Sequence, residues 1–254
     1  MPRFSVNLSF LFTDLALEER IDAAAEHGFR GVEYFSPYDS NLGSLRTRLQ
    51  KHDIEQVLFN FPMGDAAAGD RGMACRPDRV AEFRRGVADA VAAARELRCT
   101  RVHCLSGVVD PNVPHDVTRA TLVDNLRFAA NALSAIDARL LVEPLNHLDM
   151  PGYAVVGVSP ALDLIREVGL PNVALQYDCY HAQRSEGNII ETLRRNLAAI
   201  AHIQIADCPG RHEPGTGEVA YDRVLAEIDR IGYAGWVGLE YQPSMPVPQT
   251  FSWM

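Results

Sequence analysis

The stretch Val173-Ala-Leu-Gln-Tyr-Asp178 is a short apolar run that ends in a carboxylate. Its length and its β-branched and aromatic residues predict a buried strand. Because side chains alternate along a strand, Asp178 shares one face with Gln176, while Leu175 and Tyr177 lie on the other face. The run therefore predicts a strand that carries an oxygen donor at its C-terminal end.

Seven other stretches resemble this one, and longer amphipathic stretches separate them. The clearest predicted helix begins at Pro77 and places apolar residues from Val80 to Leu97 at three- and four-residue spacing. A second predicted helix covers 222–231. Strict alternation of strands and helices predicts a parallel sheet, and eight units predict a closed (β/α)₈ TIM barrel, an α/β fold. The eight predicted strands are Phe4–Ser9, Gly31–Phe35, Glu55–Asn60, Arg101–Leu105, Arg139–Glu143, Val173–Asp178, His202–Ala206 and Trp236–Tyr241.

The length of 254 residues is typical of one such barrel, so we expect a single domain over residues 1–254. A net charge of −9 argues against a nucleic-acid partner, because phosphate binding needs a cationic face. No secretory or membrane-spanning segment is recognisable, which predicts a cytoplasmic protein without membrane contact. Lys51 is the only lysine and lies in a polar stretch, which argues against Schiff-base chemistry and against pyridoxal phosphate. We expect no organic cofactor.

Four successive predicted strands each direct one oxygen donor inward near the C-terminal end. The donors are Glu143, Asp178, Gln204 and Glu240. Three converging carboxylates repel one another unless a cation neutralises them. An all-oxygen set suits a hard divalent ion, so we predict a metal site for Mg²⁺, with Mn²⁺ or Co²⁺ as alternatives. The competing interpretation is that each donor is an isolated polar residue at a strand end.

Two further residues lie close to these strands in the sequence. His181 follows Asp178 by three residues and is a candidate to hold a substrate oxygen beside a metal. Arg211 lies in the glycine- and proline-rich loop Asp207–Glu218, where a guanidinium can face a substrate carboxylate. The alternative for this loop is an exposed segment with a structural pair between Arg211 and Glu213.

Several short motifs of the chain occur together in one known enzyme family. They are Leu141-Val-Glu-Pro144, Asp178-Cys-Tyr-His-Ala-Gln183, His202-Ile-Gln-Ile-Ala206, Gly210-Arg-His-Glu-Pro214, Gly232-Tyr-Ala-Gly-Trp-Val-Gly-Leu-Glu240, Pro2-Arg-Phe-Ser-Val-Asn-Leu-Ser9 and Gly64-Asp-Ala-Ala-Ala-Gly-Asp-Arg-Gly72. With these motifs the sequence resembles the hydroxypyruvate isomerase family of the xylose-isomerase-like barrel superfamily. The resemblance implies that Glu143, Asp178, Gln204 and Glu240 bind the metal and that Glu143 and Glu240 form the proton-transfer pair. Many relatives that act on neutral ketoses have histidine at the position of Gln204.

The resemblance implies a metal-dependent isomerase that interconverts hydroxypyruvate and tartronate semialdehyde through an enediolate. Such a small anionic substrate needs a cation for its carboxylate. Arg211 is the first candidate and Arg71, in the loop after the third strand, is the second. A 2-oxo-tetronate isomerase and a ketose 3-epimerase remain alternatives on the same site. A metal-dependent endonuclease and a non-catalytic ligand-binding barrel are rivals from other classes, and a homo-oligomer is compatible with the sequence.

Overall fold

The computed structural model describes residues 2–254, and its eight strands form a closed parallel barrel in which each strand pairs with the next along the chain. The first and last strands close the barrel through the register Arg3↔Trp236 to Val6↔Leu239. This architecture is the predicted (β/α)₈ TIM barrel. The strands are β1 (Arg3–Asn7), β2 (Gly31–Tyr34), β3 (Glu55–Asn60), β4 (Arg101–His103), β5 (Arg139–Val142), β6 (Val173–Asp178), β7 (Ile200–Ile205) and β8 (Trp236–Leu239).

Helices surround the barrel and cover its outer face. They are α1 (Leu17–Glu26), α2 (Leu42–His52), α3 (Val80–Leu97), α4 (His115–Ser134), α5 (Val158–Val168), α6 (Cys179–Ser185), α7 (Ile189–Asn196) and α8 (Tyr221–Arg230), with 3₁₀ turns at Pro77–Arg79, Leu197–Ala199 and Val247–Phe251. No helix within residues 2–254 is long and apolar enough to cross a lipid bilayer.

All eight predicted strands are present, and their ends differ from the prediction by at most two residues. Two differences affect the site, because β5 ends at Val142 and β8 ends at Leu239. Glu143 and Glu240 therefore each lie one residue beyond a strand. Both side chains line the cavity at the C-terminal ends of the strands, so their predicted inward direction holds although the strands end one residue earlier.

The helix predicted from Pro77 starts as a 3₁₀ turn and continues as α3. Its buried face includes Phe83, Val87 and Leu97, whereas Val91 is only half-buried. An apolar stripe of this kind packs on the barrel and away from water.

The loops after β3, β4 and β5 are connected to one another at the C-terminal face of the barrel. Isolated antiparallel bridges join Gly72 to Ser106 and Val108 to Tyr153. Gly72 has φ +101°, and a Cβ at this position would collide with the backbone carbonyl of Leu105. Only glycine allows this close approach. The long loops over the barrel mouth are therefore held by backbone pairing.

Candidate active site

A cavity of about 390 Å³ opens at the C-terminal ends of the strands. This is the face where TIM-barrel enzymes build their active sites. Its wall is largely apolar, with residues such as Phe35, Leu58 and Met150, and polar groups converge within it. Six residues predicted from the sequence line it, namely Arg71, Glu143, His181, Gln204, Arg211 and Glu240.

Three buried carboxylates meet beside this cavity, on Glu143, Asp178 and Glu240. Burial first, and then the charges of Glu240 and Asp178, raise the pKa of Glu143 well above its ordinary value. Burial also raises the pKa of Glu240, although the neighbouring Arg211 opposes the shift. One oxygen of Glu143, Oε1, has no hydrogen-bond partner among the described residues. An acceptor in this state, among acids that repel it, is what a cation would stabilise.

Gln204 directs its amide nitrogen towards two buried acids, Glu240 of this cluster and Glu33 on β2. Its Nε2 donates to Glu33 Oε1 at 2.8 Å and to Glu240 Oε2, and its Oε1 accepts from Gln176 Nε2 at 2.7 Å. An amide binds a metal through its oxygen. Ligation by Gln204 would therefore require its amide to rotate away from Gln176.

Arg211 supplies the positive charge closest to the acids. Its Nη2 donates to Glu240 Oε1 at 2.6 Å and lies 3.4 Å from Asp178 Oδ2. The guanidinium also lies over the rings of Phe10 and Tyr180, with its carbon 5.2 and 5.0 Å from their centroids. Arg211 thus neutralises part of the acidic cluster in this structure.

The loop that carries Arg211 is fixed by acceptors for its backbone. The carboxylate of Asp207 accepts from the backbone N–H groups of Cys208, Gly215 and Val219 at 2.8–3.1 Å. The structural pair of Arg211 with Glu213 is not formed, because Glu213 instead accepts from the backbone N–H and the hydroxyl of Ser244. The loop after β7 is thereby tied to the segment after β8.

His181 lies on α6, directly beside the cluster. Asp178 forms the N-cap of this helix and accepts from Tyr180 N at 2.8 Å, which brings His181 Nε2 to 3.7 Å from Asp178 Oδ2. Candidate ligand atoms of Glu143, Asp178 and His181 all lie within 4.8 Å of one another. Burial lowers the pKa of His181 to about 4, so its imidazole is neutral at pH 7.

Arg71 lies half-buried on the opposite loop, after β3. Its Nη1 donates to the backbone carbonyls of Asp70 and Ala66, at 2.7 and 3.4 Å. Within residues 2–254 it makes no ion pair. Its neighbour Gly72 belongs to the bridge with Ser106, so the backbone next to the guanidinium is fixed. Arg71 is therefore a cation that lines the cavity and that no carboxylate of residues 2–254 neutralises through an ion pair.

A second buried polar cluster, formed by Glu33 with Ser5, Asn7 and His202, was not predicted from the sequence. Glu33 on β2 accepts from Ser5 Oγ, Asn7 Nδ2 and His202 Nε2 at 2.8–3.2 Å. Burial alone would raise the pKa of Glu33, but His202 and the other donors lower it overall. Gly238 leaves the space for this carboxylate, since a Cβ there would lie 2.5 Å from both oxygens of Glu33.

The same alternation that identified Asp178 would have identified Glu33 had it been applied to β2. His103 on β4 was also missed. Its Nε2 lies 3.5 Å from Glu143 Oε2, and its Nδ1 lies 3.1 Å from Asn60 Oδ1. Burial lowers the pKa of His103 to about 3, so it adds no positive charge to the cluster.

Comparison with known proteins adds to this geometry. The family model described as xylose isomerase-like TIM barrel matches residues 21–254. Hydroxypyruvate isomerase of Escherichia coli is 46% identical over 254 residues, which covers 100% of this chain and 98% of that protein. A 2-oxo-tetronate isomerase of Cupriavidus necator is 41% identical, with coverage of 100% and 98%. A solved structure from Brucella melitensis named AP endonuclease, family 2, has a TM-score of 0.97 and 41% identity, with coverage of 100% and 98%.

Proposed function

The chain belongs to the xylose isomerase-like TIM barrel family and is an isomerase, and from this premise we propose that it interconverts hydroxypyruvate and tartronate semialdehyde at a divalent-metal site. The observation that carries the proposal is the buried cluster of Glu143, Asp178 and Glu240 beside a substrate-sized cavity. The 46% identity to a hydroxypyruvate isomerase over the whole chain supports the choice of substrate.

The residues present fit a hard divalent cation. Glu143 Oε1 is a buried acceptor without a partner, and the cluster holds three carboxylates but only one guanidinium. Glu143, Asp178 and Glu240 would hold the ion, with Gln204 as a fourth ligand after rotation of its amide. Carboxylate and amide oxygens favour Mg²⁺ or Mn²⁺. When bound, the ion supplies positive charge that stabilises the negative charge developing on two adjacent substrate oxygens.

The reaction moves one hydrogen between neighbouring carbons. A carboxylate removes a proton from the hydroxyl-bearing carbon of hydroxypyruvate, and the electron pair of that C–H bond forms a carbon–carbon double bond while the carbonyl oxygen becomes anionic. The former carbonyl carbon then takes a proton from the second carboxyl group as the carbon–carbon double bond is lost. The original hydroxyl oxygen passes its proton to the oxyanion on the neighbouring carbon, so that the first oxygen becomes the aldehyde oxygen and the second becomes the new hydroxyl. Glu143 and Glu240, at the ends of β5 and β8, are the proposed proton carriers.

Arg71 is the proposed partner of the substrate carboxylate. Arg211 already contacts Glu240 and Asp178, whereas Arg71 contacts only backbone carbonyls. A guanidinium can bind a carboxylate through two parallel hydrogen bonds. We therefore place Arg71 before Arg211, which is the reverse of the order expected from the sequence, because Arg211 already contacts Glu240 and Asp178.

A 2-oxo-tetronate isomerase is the second candidate. The 41% identity to such an enzyme favours it, and a cavity of about 390 Å³ has room for one more carbon. We do not propose cleavage of nucleic acid, because the acidic cluster contains one histidine and the chain has a net charge of −9.

Turnover assays test the proposal on hydroxypyruvate, a 2-oxo-tetronate and a neutral ketose. We expect the highest kcat/KM on hydroxypyruvate, loss of activity after exhaustive chelation, and recovery with Mg²⁺, Mn²⁺ or Co²⁺. Turnover in D₂O should place deuterium on the product carbon. Full activity in metal-free protein, or a preference for the neutral ketose, would contradict the proposal.

A further inference from the structure

Asn146, in the loop after β5, is fully buried and contacts the ring of His181. Its side-chain oxygen accepts from the backbone N–H groups of Leu148 and Asp149 at 3.1 and 2.9 Å. A backbone N–H cannot donate to an amide nitrogen, so these two bonds assign the positions of Oδ1 and Nδ2 in the side chain of Asn146. The Nδ2 group of Asn146 therefore faces Asp149 Oδ2 at 2.9 Å and His181 Nδ1 at 2.7 Å.

The Nδ1 atom of His181 thus faces a donor on Asn146. The backbone N–H of the same asparagine also points at it from 3.2 Å. A ring nitrogen that faces two donors is an acceptor and carries no hydrogen. A neutral imidazole has one N–H, which must then be on Nε2. The carboxylate oxygen Asp178 Oδ2 lies 3.7 Å from Nε2, which is beyond hydrogen-bond range.

We propose that Asn146 is a positioning residue that holds His181 as the Nε2–H tautomer, so that His181 donates a hydrogen bond to a substrate oxygen and does not ligate the metal. The substrate contact rests on the proposed function, whereas the tautomer does not. Neutral donors aimed at an oxygen that becomes anionic stabilise the transition state.

The tautomer decides what kind of metal site the cluster can form. By distance alone, Glu143, Asp178 and His181 could share one ion. A ring nitrogen binds a metal only through a free lone pair, and imidazole ligation favours Zn²⁺ over Mg²⁺. With the hydrogen on Nε2, the lone pair of His181 points away from the acids. Asn146 thereby keeps the site all-oxygen.

A swap of two neighbours reverses the polarity of the contact without changing the net charge. In Asn146→Asp/Asp149→Asn, the new carboxylate still accepts from the two backbone N–H groups, and its other oxygen faces His181 Nδ1. The new amide at position 149 can donate to that carboxylate. A charge-assisted bond then favours hydrogen on Nδ1. Asp149→Asn alone is the matched control, because it keeps the donor on Asn146.

Nitrogen NMR of ¹⁵N-histidine-labelled, metal-free protein reads the tautomer directly, and His181→Gln assigns the signal. We expect Nε2–H in the unmodified protein and in Asp149→Asn, and Nδ1–H in the swap. We also expect the swap to bind Zn²⁺ at least tenfold more tightly relative to Mg²⁺, and to lose at least tenfold in kcat on hydroxypyruvate.

Nδ1–H in the unmodified protein would overturn the inference, and this measurement stands even if the swap does not fold. Nε2–H in a folded swap would overturn the role given to the side chain of Asn146, since the backbone N–H of residue 146 would then be sufficient to set the tautomer. If the spectra are as expected but the unmodified protein does not turn over hydroxypyruvate, the proposed function fails while the tautomer assignment holds.

Discussion

Glu143 is the acid with the least support from its surroundings. Its Oε1 has no partner within the described residues, and its Oε2 faces the neutral ring of His103 at 3.5 Å. Arg211 is bonded to Glu240. A buried carboxylate without its own cation prefers to stay protonated, so in the metal-free protein this residue opposes folding at neutral pH.

The first prediction concerns stability and pH. Because burial raises the pKa of Glu143, the folded protein retains a proton that the unfolded chain loses above about pH 4.3. The contribution of Glu143 to the free energy of unfolding is therefore highest below that pH, and it decreases as the pH rises. We expect Glu143→Gln to be more stable than the unmodified protein at pH 8, without metal, by about 1–3 kcal/mol.

Thermal unfolding checks this prediction, since each kcal/mol changes Tm by about 2–4 °C in a chain of this size. The gain should shrink towards pH 5. Glu26→Gln, at an exposed position, is the control and should change little. A variant Glu143→Gln that melts below the unmodified protein at pH 8 would contradict the electrostatic account.

The second prediction separates the two arginines. Arg71→Met should raise KM for hydroxypyruvate at least tenfold and leave metal affinity unchanged, because a charge-assisted bidentate contact contributes about 1.5–3 kcal/mol per bond. Arg211→Met should tighten metal binding, because Arg211 competes with the ion for Glu240 and Asp178.

Steady-state kinetics and calorimetric metal titration measure the two effects. Arg223→Met, at an exposed position on α8, is the matched control and should alter neither quantity. The assignment of Arg71 is wrong if Arg71→Met retains its KM while Arg211→Met loses substrate binding.

At the scale of elements, the loop after β7 depends on one carboxylate. Asp207 accepts three backbone N–H groups and so fixes the loop on which Arg211 lies. The third prediction is that Asp207→Ala lowers the free energy of unfolding by about 1–3 kcal/mol, the usual effect of leaving buried donors unpaired.

Asp207→Asn provides the graded comparison. It keeps one oxygen for Cys208 and Val219 but loses the acceptor for Gly215, so its stability should lie between the unmodified protein and Asp207→Ala. The free energy of unfolding, measured with denaturant, should decrease from the unmodified protein to Asp207→Asn to Asp207→Ala. We expect kcat/KM to decrease in the same order. Equal effects of the two substitutions on stability and on turnover would argue against a role for the loop geometry.

The sequence predicted the strands better than the segments that join them. The alternation in β6 and β7 identified Asp178 and Gln204 because strand periodicity is a local property. The helix directly after Asp178 was not predicted, because α6 has only seven residues and is too short to show a helical periodicity of apolar residues. The same holds for the bridges between loops, which pair segments that share no local pattern.

The side-chain contacts within the site could not be predicted from local sequence patterns, because they join residues that are far apart in the chain. Glu33 meets His202 across 169 positions of sequence, and Asn7 meets Glu240 across 233. Closure of the barrel decides such pairs, and the order of side chains along one strand does not. The acids were predictable one strand at a time, whereas the contacts of Arg211 and the donor on Asn146 required the assembled structure.

At the scale of the whole molecule, the acidic cluster couples metal binding to global stability. The fourth prediction is that Mg²⁺ or Mn²⁺ raises Tm, because an ion that binds only the folded protein adds about 2.7 kcal/mol at one hundred times its dissociation constant. Differential scanning calorimetry with and without the ion measures the shift. Asp178→Asn should reduce it strongly, and an equal shift in that variant would show that the ion binds elsewhere.

The contact between Gly238 and Glu33 restricts which substitutions position 238 can accept during evolution. The space that a methyl group would take is filled by the carboxylate of Glu33. We expect Gly238→Ala to destabilise the protein much less when Glu33→Ala is already present, with a coupling of about 0.5–3 kcal/mol in a double-mutant cycle. Additive effects would contradict this. The expected coupling makes the two positions epistatic: a side chain at position 238 can be acquired without an unstable intermediate protein only after Glu33 has been replaced.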